Sequence, residues 1–494
     1  MTARCSALSS SPLFAACLVL LAGCTVGPKY QRATASVPAH WDLAAPWRES
    51  SPKDALPKGE WWTIFQDARL SSLQQQALAS NQTIKVAAAH LEQARALAAL
   101  QISTEFPQLA VAPTAQRQRL SGNRPPNGVQ IQLRPVTQNT FSLPFAVSYE
   151  VDLFGRRRRS IEAAQASYQA GAADLENVRL IIASELAGDY FSLRQLDTEI
   201  GILNRTVTTL QKGLDLVYSR HQGGIASGLD VAQEETLLNT TKTQATLFIQ
   251  QRKQFEDAIA VLIGQPAPDF HLPPLELSAE PPSIDAGLPS DLLERRPDVA
   301  EAERQMAAAN AQIGVAKASY YPSLNLFASG GWQSKDIATL ANVQSTVWAL
   351  GANVAETIFS GGARRAESQF AQAGYDASVA NYRDTVLNAF REVQDSVTGL
   401  SVLDDAQKTQ QQAVDAARRA LDIANSRYVG GLVSYLDVVN AQENLLNNER
   451  EMAVIKGQKL VTSVLLVKAL GGGWDSASLA ALKVKSQVKD ALAP

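Results

Sequence analysis

The 494-residue sequence is poor in the residue types on which most catalytic and metal sites depend. It has three cysteines, all within the first 24 residues, and four scattered histidines that lack the spacing of zinc ligands. Phosphate-binding loops, dinucleotide fingerprints and nucleophile elbows do not occur. The 45 basic and 48 acidic side chains nearly cancel, which argues against a nucleic-acid-binding surface. We therefore predict no enzymatic activity, no catalytic residue, no metal site and no soluble cofactor.

The N-terminus has the pattern of a bacterial lipoprotein signal. Arg4 precedes an apolar run over 13–22, which is too short to span a bilayer. Small residues then lead to Cys24, as in the lipobox, where the cysteine is acylated and becomes the first residue. We predict a signal peptide over 1–23, a covalent lipid on Cys24 and a lipidated N-terminal periplasmic segment over 24–67. The alternative is a chance cysteine near an ordinary cleavage site.

The sequence contains an internal repeat. The segment LDLVYSRHQGGIASGLD, which ends at Asp230, matches LDIANSRYVGGLVSYLD, which ends at Asp437, without a gap and 207 positions later. Upstream, TEFPQL and SYYPSL align at an offset of 215 positions. This self-similarity predicts an internally duplicated fold, with a first repeat over 68–290, a second over 291–473 and a C-terminal tail over 474–494.

Each repeat contains a long proline-free segment with apolar residues at alternating spacings of three and four, the seam of a coiled coil. We predict long helices over 155–220 and 361–428, each about 100 Å in length, and returning helices over 228–263 and 435–470. The 3.5-residue period implies a left-handed supercoil. A soluble spectrin-like bundle is the alternative, and only the predicted strands count against it.

Each repeat also contains two segments with the period-two alternation of β-strands. They lie at about 108–119 and 139–152 in the first repeat and at 322–332 and 346–358 in the second. Such strands suit a bilayer crossed at a tilt, but four of them cannot close a barrel, and open edges are intolerable in lipid. Several copies must then share one barrel, and three copies would give twelve strands around a lumen. A small soluble β-domain with one solvated face is the alternative.

The predicted fold class is therefore mainly α with a membrane β-barrel portion: a trimeric 12-stranded barrel continued by a hollow cylinder of long coiled-coil helices. Arginines follow the second strand of each repeat, where a barrel would place them at the headgroups of the periplasmic leaflet. A solvated helix start is the alternative. The predicted membrane-interface residues are Arg156, Arg157, Arg158, Arg159, Arg364 and Arg365.

Several motifs resemble the TolC/OprM-like outer-membrane efflux factors, in the lipoprotein (NodT-type) branch that serves RND tripartite systems. The mature start Cys24–Tyr30 looks like the opening of that branch. The segment Trp61–Leu70, with its paired tryptophans, is similar to the approach to its first helix, and Arg427–Asp437 is similar to its periplasmic helix turn. The likeness covers nearly the whole mature chain, residues 24–473.

This resemblance implies a homotrimer in the outer membrane, anchored by its lipid and extended into the periplasm by a helical barrel. It implies passive export of small molecules such as drugs and toxic compounds. An inner-membrane RND-type pump would supply the energy, and a periplasmic adaptor (membrane fusion) protein would join pump and channel. Two alternatives stay open, the outer-membrane channel of a type I protein secretion system and a lipid-tethered periplasmic coiled-coil scaffold.

Paired glycines at both helical turns permit the left-handed backbone that reverses a helix. By resemblance, these turns face the adaptor, and Asp437 with Tyr428 forms a periplasmic gate whose carboxylates attract cations. Ser434 also fits a helix N-cap with Asp437 as its acidic partner, so capping alone is the alternative. A second acidic ring of the family would fall at Asn440, which puts the strength of a lower gate in doubt. The predicted adaptor-contact residues are Gly223, Gly224, Ser227, Leu229, Asp230, Gly430, Gly431, Ser434 and Leu436.

Overall fold

The computed structural model describes residues 25–35, 37–38, 59–123, 134–282, 295–474, 476, 479 and 481–484. The predicted signal peptide over 1–23 and the predicted acylation site Cys24 lie outside these residues, as do parts of the predicted N-terminal segment and C-terminal tail. Within the described part of the chain, no helix combines the length and the apolar character needed to cross a lipid bilayer.

Seven α-helices make up most of the described residues. Their bounds are α1 Ala68–Ser80, α2 Gln82–Ser103, α3 Arg156–Gln222, α4 Gly228–Leu262, α5 Pro297–Ala318, α6 Ala363–Val429 and α7 Tyr435–Ala469. Three pairs have equal lengths: α3 and α6 have 67 residues, α4 and α7 have 35, and α2 and α5 have 22. The two longest therefore extend for about 100 Å.

One of the two rows of the coiled-coil seam predicted for α3 is buried throughout. Leu196, Leu203, Leu210 and Val217 follow one another at intervals of seven residues, and all four are buried. In the other row that a 3.5-residue period requires, Leu193 is buried and Ile200, Val207 and Leu214 are half-buried. The seam residues of α6 that are likewise buried are Val386, Val393, Leu400 and Val414.

Gln407 interrupts the apolar spacing of α6, and a second helix satisfies its side chain. The ammonium group of Lys459, on α7, donates to Gln407 Oε1 over 2.7 Å and to Asp404 Oδ1 over 2.8 Å. A polar group at a partly buried helix contact is tolerated when its hydrogen bonds are made. The interruption therefore serves as a polar link between α6 and α7.

The helices pack side by side in the order α2 with α4, then α3, then α5 with α7, then α6. Helices α2 and α4 pack against α3 along different parts of its length, and α5 and α7 pack along α3 in the same way. Helix α6 packs against α5 and α7. Each long helix of 67 residues is thus flanked by two shorter ones of 22 and 35 residues, which together cover most of its length. The layer has α2 and α4 at one edge and α6 at the other.

The strands form one antiparallel sheet in which they follow one another in chain order. Their bounds are β1 Gln108–Val111, β2 Thr114–Leu120, β3 Val136–Val151, β4 Ser323–Ser334 and β5 Thr346–Ala355. Both β1 and β2 pair with β3, which pairs with β4, which pairs with β5. The outer edges of β1, β2 and β5 have no partner strand among the described residues.

All four predicted strand segments differ from the structure at their ends, and for two of them the sequence or the pairing explains the difference. The stretch predicted as one strand over 108–119 is divided at Ala112–Pro113, because proline has no N–H group to donate to the ladder. Strands β1 and β2 nevertheless share one register, with Gln108 opposite Ser148 and Thr114 opposite Ser142. The stretch predicted over 346–358 ends at Ala355, since its partner β4 begins at the opposite residue.

The largest hydrophobic cluster lies where α1 and the ends of α4 and α7 meet the middle of α3 and α6. A 3-10 helix, Trp61–Phe65, contributes two buried tryptophans. Asp67 fixes the approach to α1, because Oδ1 accepts a hydrogen bond from Leu70 N at 2.9 Å while Oδ2 accepts one from the Tyr190 hydroxyl at 2.7 Å. The cap that starts α1 therefore also ties it to α3.

Candidate functional site

Each helical hairpin turns at a pair of glycines, as the sequence predicts. The second glycine of each pair has a left-handed backbone, with φ of +74° at Gly224 and +72° at Gly431. The next amides donate back into the preceding helix, Ile225 N to Arg220 O at 2.8 Å and Leu432 N to Arg427 O at 2.9 Å. These bonds satisfy carbonyl groups that a helix end leaves unpaired. Both turns are therefore tight and alike in backbone geometry.

The helices that follow the turns begin with serine and aspartate. Ser227 and Asp230 form a complete capping box, in which each side chain accepts a hydrogen bond from the other residue's backbone amide. In the second hairpin the Ser434 hydroxyl instead donates to Asp437 Oδ2 at 2.9 Å. Asp437 is exposed to solvent beside the turn. A carboxylate there stabilises the start of α7 and also presents a negative charge at the tip.

Apolar side chains project from both tips. The predicted residues Leu229 and Leu436 are exposed. Ile225 and Leu432 are each 72% exposed, although they were not among the predicted contact residues. Their signal in the sequence is an apolar residue directly after each glycine pair. Exposed apolar residues grouped at one end of a protein are typical of an interaction surface.

The two hairpins meet behind the tips in an aromatic junction. The rings of Tyr428 and Tyr435 lie 4.8 Å apart at 60°, and the guanidinium group of Arg220 stacks over Tyr428 at 4.8 Å. Val217 and Val438 complete the buried cluster. Partial burial raises the pKa of Tyr428, and the positive charge of Arg220 opposes that change. Tyr428, predicted as part of a gate, therefore joins one hairpin to the other.

Sequence reasoning missed the deeper part of this junction. Tyr435 is buried, and the carboxyl group of Glu234 on α4 lies beside it with no exposed surface at all. The sequence repeat does contain a signal for it, because the two repeats differ at these positions: the residues equivalent to Tyr428 and Tyr435 in the first repeat are His221 and Gly228. A departure from the repeat marks where the two repeats contact each other.

The arginines that follow the strands are largely paired with carboxylates on the same side of the sheet. Arg156 and Arg157 contact Glu150, and Arg158 contacts Asp152. In the second repeat, Arg364 contacts Glu356 at 2.9 Å and Arg365 is exposed. These ion pairs hold most of the arginines at the junction between sheet and helices.

Arg159 differs from the other arginines and from its predicted position at lipid headgroups. Its side chain is buried, donates to Glu162 Oε2 at 2.8 Å and donates to Pro28 O at 3.0 Å. The absence of a side chain at Gly314 on α5 makes room for it, because a Cβ atom there would lie 2.8 Å from Arg159 Cγ. Arg159 therefore links α3 to the N-terminal segment.

No group of three potential metal-ligating side chains occurs among the residues that the structure describes. The hairpin ends bring together charged groups, exposed apolar side chains and a buried acid, an arrangement that suits contact with a partner.

Comparisons with known proteins agree with this geometry. The family described as outer membrane efflux protein matches residues 73–265 and 288–472, which is most of the chain. The solvent efflux pump outer membrane protein SrpC of Pseudomonas putida is 33% identical over 94% of this chain and 98% of its own length. The pyoverdine export outer membrane protein OpmQ of Pseudomonas aeruginosa is also 33% identical, over 94% of this chain and 97% of its length. Among solved structures, the outer-membrane channel OprN has a TM-score of 0.84 at 27% identity and covers 91% of this chain and 100% of its own.

Proposed function

This chain belongs to the outer membrane efflux protein family, and we propose that three copies of it form a passive channel that releases small molecules through the outer membrane. Its place is the outer membrane, and its role is that of the outer-membrane component of an efflux system. The names of its relatives describe an outer membrane protein of a solvent efflux pump and an outer-membrane channel.

The observation that carries the proposal is the pair of open edges on the sheet. Among the residues that the structure describes, the outer edges of β5 and of β1 with β2 have no partner strand. In lipid an unpaired strand edge costs too much free energy to persist, so the edges must pair with further copies. Trp348 and Leu350 lie on one face of β5 and are 80% and 77% exposed, as residues that face lipid would be. Three copies of a sheet four strands wide give a lumen wide enough for solutes.

Partners follow from the same architecture. The exposed apolar tips suit a periplasmic adaptor protein, which would connect the channel to an inner-membrane RND-type pump. The relatives' names refer to solvents and to pyoverdine, which are small molecules. These names favour small-molecule export over the alternative of a type I protein secretion channel.

The role of the lipid anchor is tested by Cys24→Ser. Because the barrel itself would hold the protein in the membrane, we expect the unacylated protein to stay in the outer-membrane fraction and to require detergent for extraction. Fractionation of cells followed by a carbonate wash measures this. Recovery of the variant as a soluble periplasmic protein without detergent would favour the tethered scaffold and reject the channel.

The gate is tested by Asp437→Ala in planar bilayers. In a trimer, three exposed carboxylates near the mouth would attract cations, so their removal should raise single-channel conductance and reduce the preference for cations. Asp230→Ala is the matched control, because it removes the equivalent acidic cap from the other hairpin. Equal changes in both variants would assign the effect to capping, and an unchanged conductance for Asp437→Ala would reject its role in the gate.

A further inference from the structure

Glu234 is an acidic residue in a place where, among the described residues, no cation is paired with its carboxylate. It lies on α4, about two turns from the tip, and its side chain is fully buried. Among the described residues, neither of its carboxylate oxygens has a hydrogen-bond partner of normal geometry, and none of the ion pairs includes it. Buried carboxylates are ordinarily paired with a cation or bound by several donors. This unpaired acid therefore calls for an explanation.

Three helices meet at the Glu234 carboxyl group. A Cβ atom built on Gly213, in α3, would lie 2.5 Å from Glu234 Oε1 and 3.3 Å from the Tyr435 hydroxyl of α7. The carboxyl group thus occupies a space that exists only because residue 213 has no side chain. Any other residue at position 213 would displace either the acid or the tyrosine. The site is a feature of the contact between the two hairpins.

The titratable and charged groups around this site are few. Tyr435 faces the carboxyl group from α7, and beyond it lie Tyr428 of α6 and Arg220 of α3, which stack on each other. Asp230 lies one turn away on α4 itself. The α3 residues that flank Gly213 on the same face, Leu210 and Val217, are apolar and buried.

We propose that Glu234 is a proton-binding site that sets how tightly the two hairpins pack at the periplasmic mouth. The protonated carboxyl group is neutral, and it can exchange a hydrogen bond with the Tyr435 hydroxyl in the closed junction. The ionised group leaves an uncompensated negative charge against α3 and α7, which favours separation of the hairpins and entry of water. The inference rests on the proposed function in one respect, since the hairpin ends must form the mouth of a channel.

The direction of the pH dependence follows from burial. Burial raises the pKa of Glu234 from its ordinary value to about 7, and the neighbouring Tyr435 hydroxyl opposes part of that rise. The closed junction therefore binds the proton more tightly than the open one. Its stabilisation is complete below the ordinary pKa of a glutamate and is lost as the pH rises through about 7. Acidic conditions favour the closed mouth, and alkaline conditions favour its opening.

The test compares Glu234→Gln with the wild-type trimer by hydrogen exchange and by conductance. At pH 8 the tip amides of the variant should exchange at least about tenfold more slowly than those of the wild type, whereas at pH 4, below the ordinary pKa of a glutamate, the two should agree. Wild-type conductance should rise between pH 6 and pH 8, and that of the variant should stay low. Glu235→Gln, which changes an exposed neighbour on the same helix, should behave as the wild type.

Tyr435→Phe gives an independent measurement if the glutamine variant folds poorly. Removing the hydroxyl withdraws the group that lowers the pKa of Glu234, so the wild-type transition should move to higher pH. Equal exchange of wild type and Glu234→Gln at both pH values, or an unmoved transition in Tyr435→Phe, would overturn the proton-binding role even if the channel conducts. Exchange differences in a protein that does not conduct would instead retain that role and reject the proposed channel.

Discussion

Replacing Asp197 with alanine should destabilise the protein more than any surface substitution. Asp197, on α3, is buried and accepts hydrogen bonds from Arg194 at 2.9 Å and from Arg252 of α4 at 2.6 Å. Its loss leaves the buried guanidinium group of Arg194 without its anion and leaves Arg252 with only Glu256, whose Oε1 atom lies 3.5 Å away. Breaking a buried ion pair in this way costs about 3–5 kcal/mol of unfolding free energy. Thermal unfolding of the detergent-solubilised protein should show a large fall in midpoint.

An exposed ion pair provides the matched control for Asp197. Arg205 and Glu276 also pair, but their side chains are 61% and 56% exposed. Glu276→Gln should cost less than about 1 kcal/mol, because solvent screens the pair. Similar small shifts in the two variants would show that the buried carboxylate does not hold this region together.

The size expected for Asp197 reflects how many segments depend on it. Its Oδ2 atom also accepts from Leu275 N at 3.1 Å, and Arg194 donates to Pro273 O at 2.9 Å. Arg252 donates to Leu272 O at 2.6 Å. One carboxylate therefore orders the connection that leaves the first hairpin and holds it against α3 and α4. Its removal weakens contacts in three places at once.

Features that depend on residues close together in the chain could be predicted from the sequence. The seam of α3 follows from a spacing of three and four residues, which fixes the buried face once a helix forms. The left-handed turns at Gly224 and Gly431 follow from paired glycines, since few other residues adopt that backbone. The alternation at 139–152 likewise predicted β3, although the strand begins earlier, at Val136.

Features that depend on tertiary contacts could not be predicted in this way. Arg159 looks like its three neighbours in the sequence, but only Arg159 faces Gly314 on another helix. Glu234 occupies a position that reads as an ordinary polar residue on α4, and its burial depends on a glycine in α3. No local pattern encodes such complementary gaps, because both partners come from distant parts of the chain.

The two repeats suggest how neighbouring copies would contact each other. Equivalent strand pairs have the same register. In the first repeat, Gln108 lies opposite Ser148. The equivalent residues of the second repeat, at offsets of 215 and 207 respectively, are Ser323 and Ala355, and they also lie opposite each other. Where the repeats meet within the chain, Ala173 of α3 and Ala300 of α5 share a buried cluster.

Their counterparts in the other repeat, Ala380 of α6 and Lys85 of α2, are exposed at the two edges of the layer. At each contact between copies, the α6 edge of one copy would then meet the α2 edge of the next. Such head-to-tail contacts produce a ring when the rotation that relates neighbouring copies closes on itself. The contact between copies in the proposed trimer would therefore repeat the contact between repeats.

This equivalence specifies residue pairs. Within the chain, Leu143 of β3 lies opposite Trp332 of β4. Their equivalents in the other repeat are Leu350 of β5 and Arg117 of β2, so Leu350 of one copy should lie opposite Arg117 of the next. Among the helices, a Cβ atom on Gly457 of α7 would lie 2.8 Å from Gln195 Cβ of α3. The equivalent positions are Gln250 of α4 and Val402 of α6, which are both exposed in the single chain.

A chain carrying Val402→Cys and Gln250→Cys should therefore form disulfides between copies. Oxidation should give covalent dimers and trimers on a non-reducing gel, because each copy offers one cysteine to each neighbour and the opposed positions reach disulfide distance once the two helices separate by about 1 Å. The natural cysteines all lie in the first 24 residues, so the background is set by the two single-cysteine chains. Mixing those two single-cysteine chains should stop the ladder at the dimer.

Gln195→Cys with Gly457→Cys is the matched control, since this pair lies within one chain and should close without joining copies. A dimer from Val402→Cys alone would mean that identical surfaces meet, which contradicts the head-to-tail contact. A trimer by native mass that cross-links only at other positions would reject the register while keeping the channel. A stable monomer by native mass would reject both, because the sheet of the described residues, four strands wide and open at both edges, does not enclose a lumen.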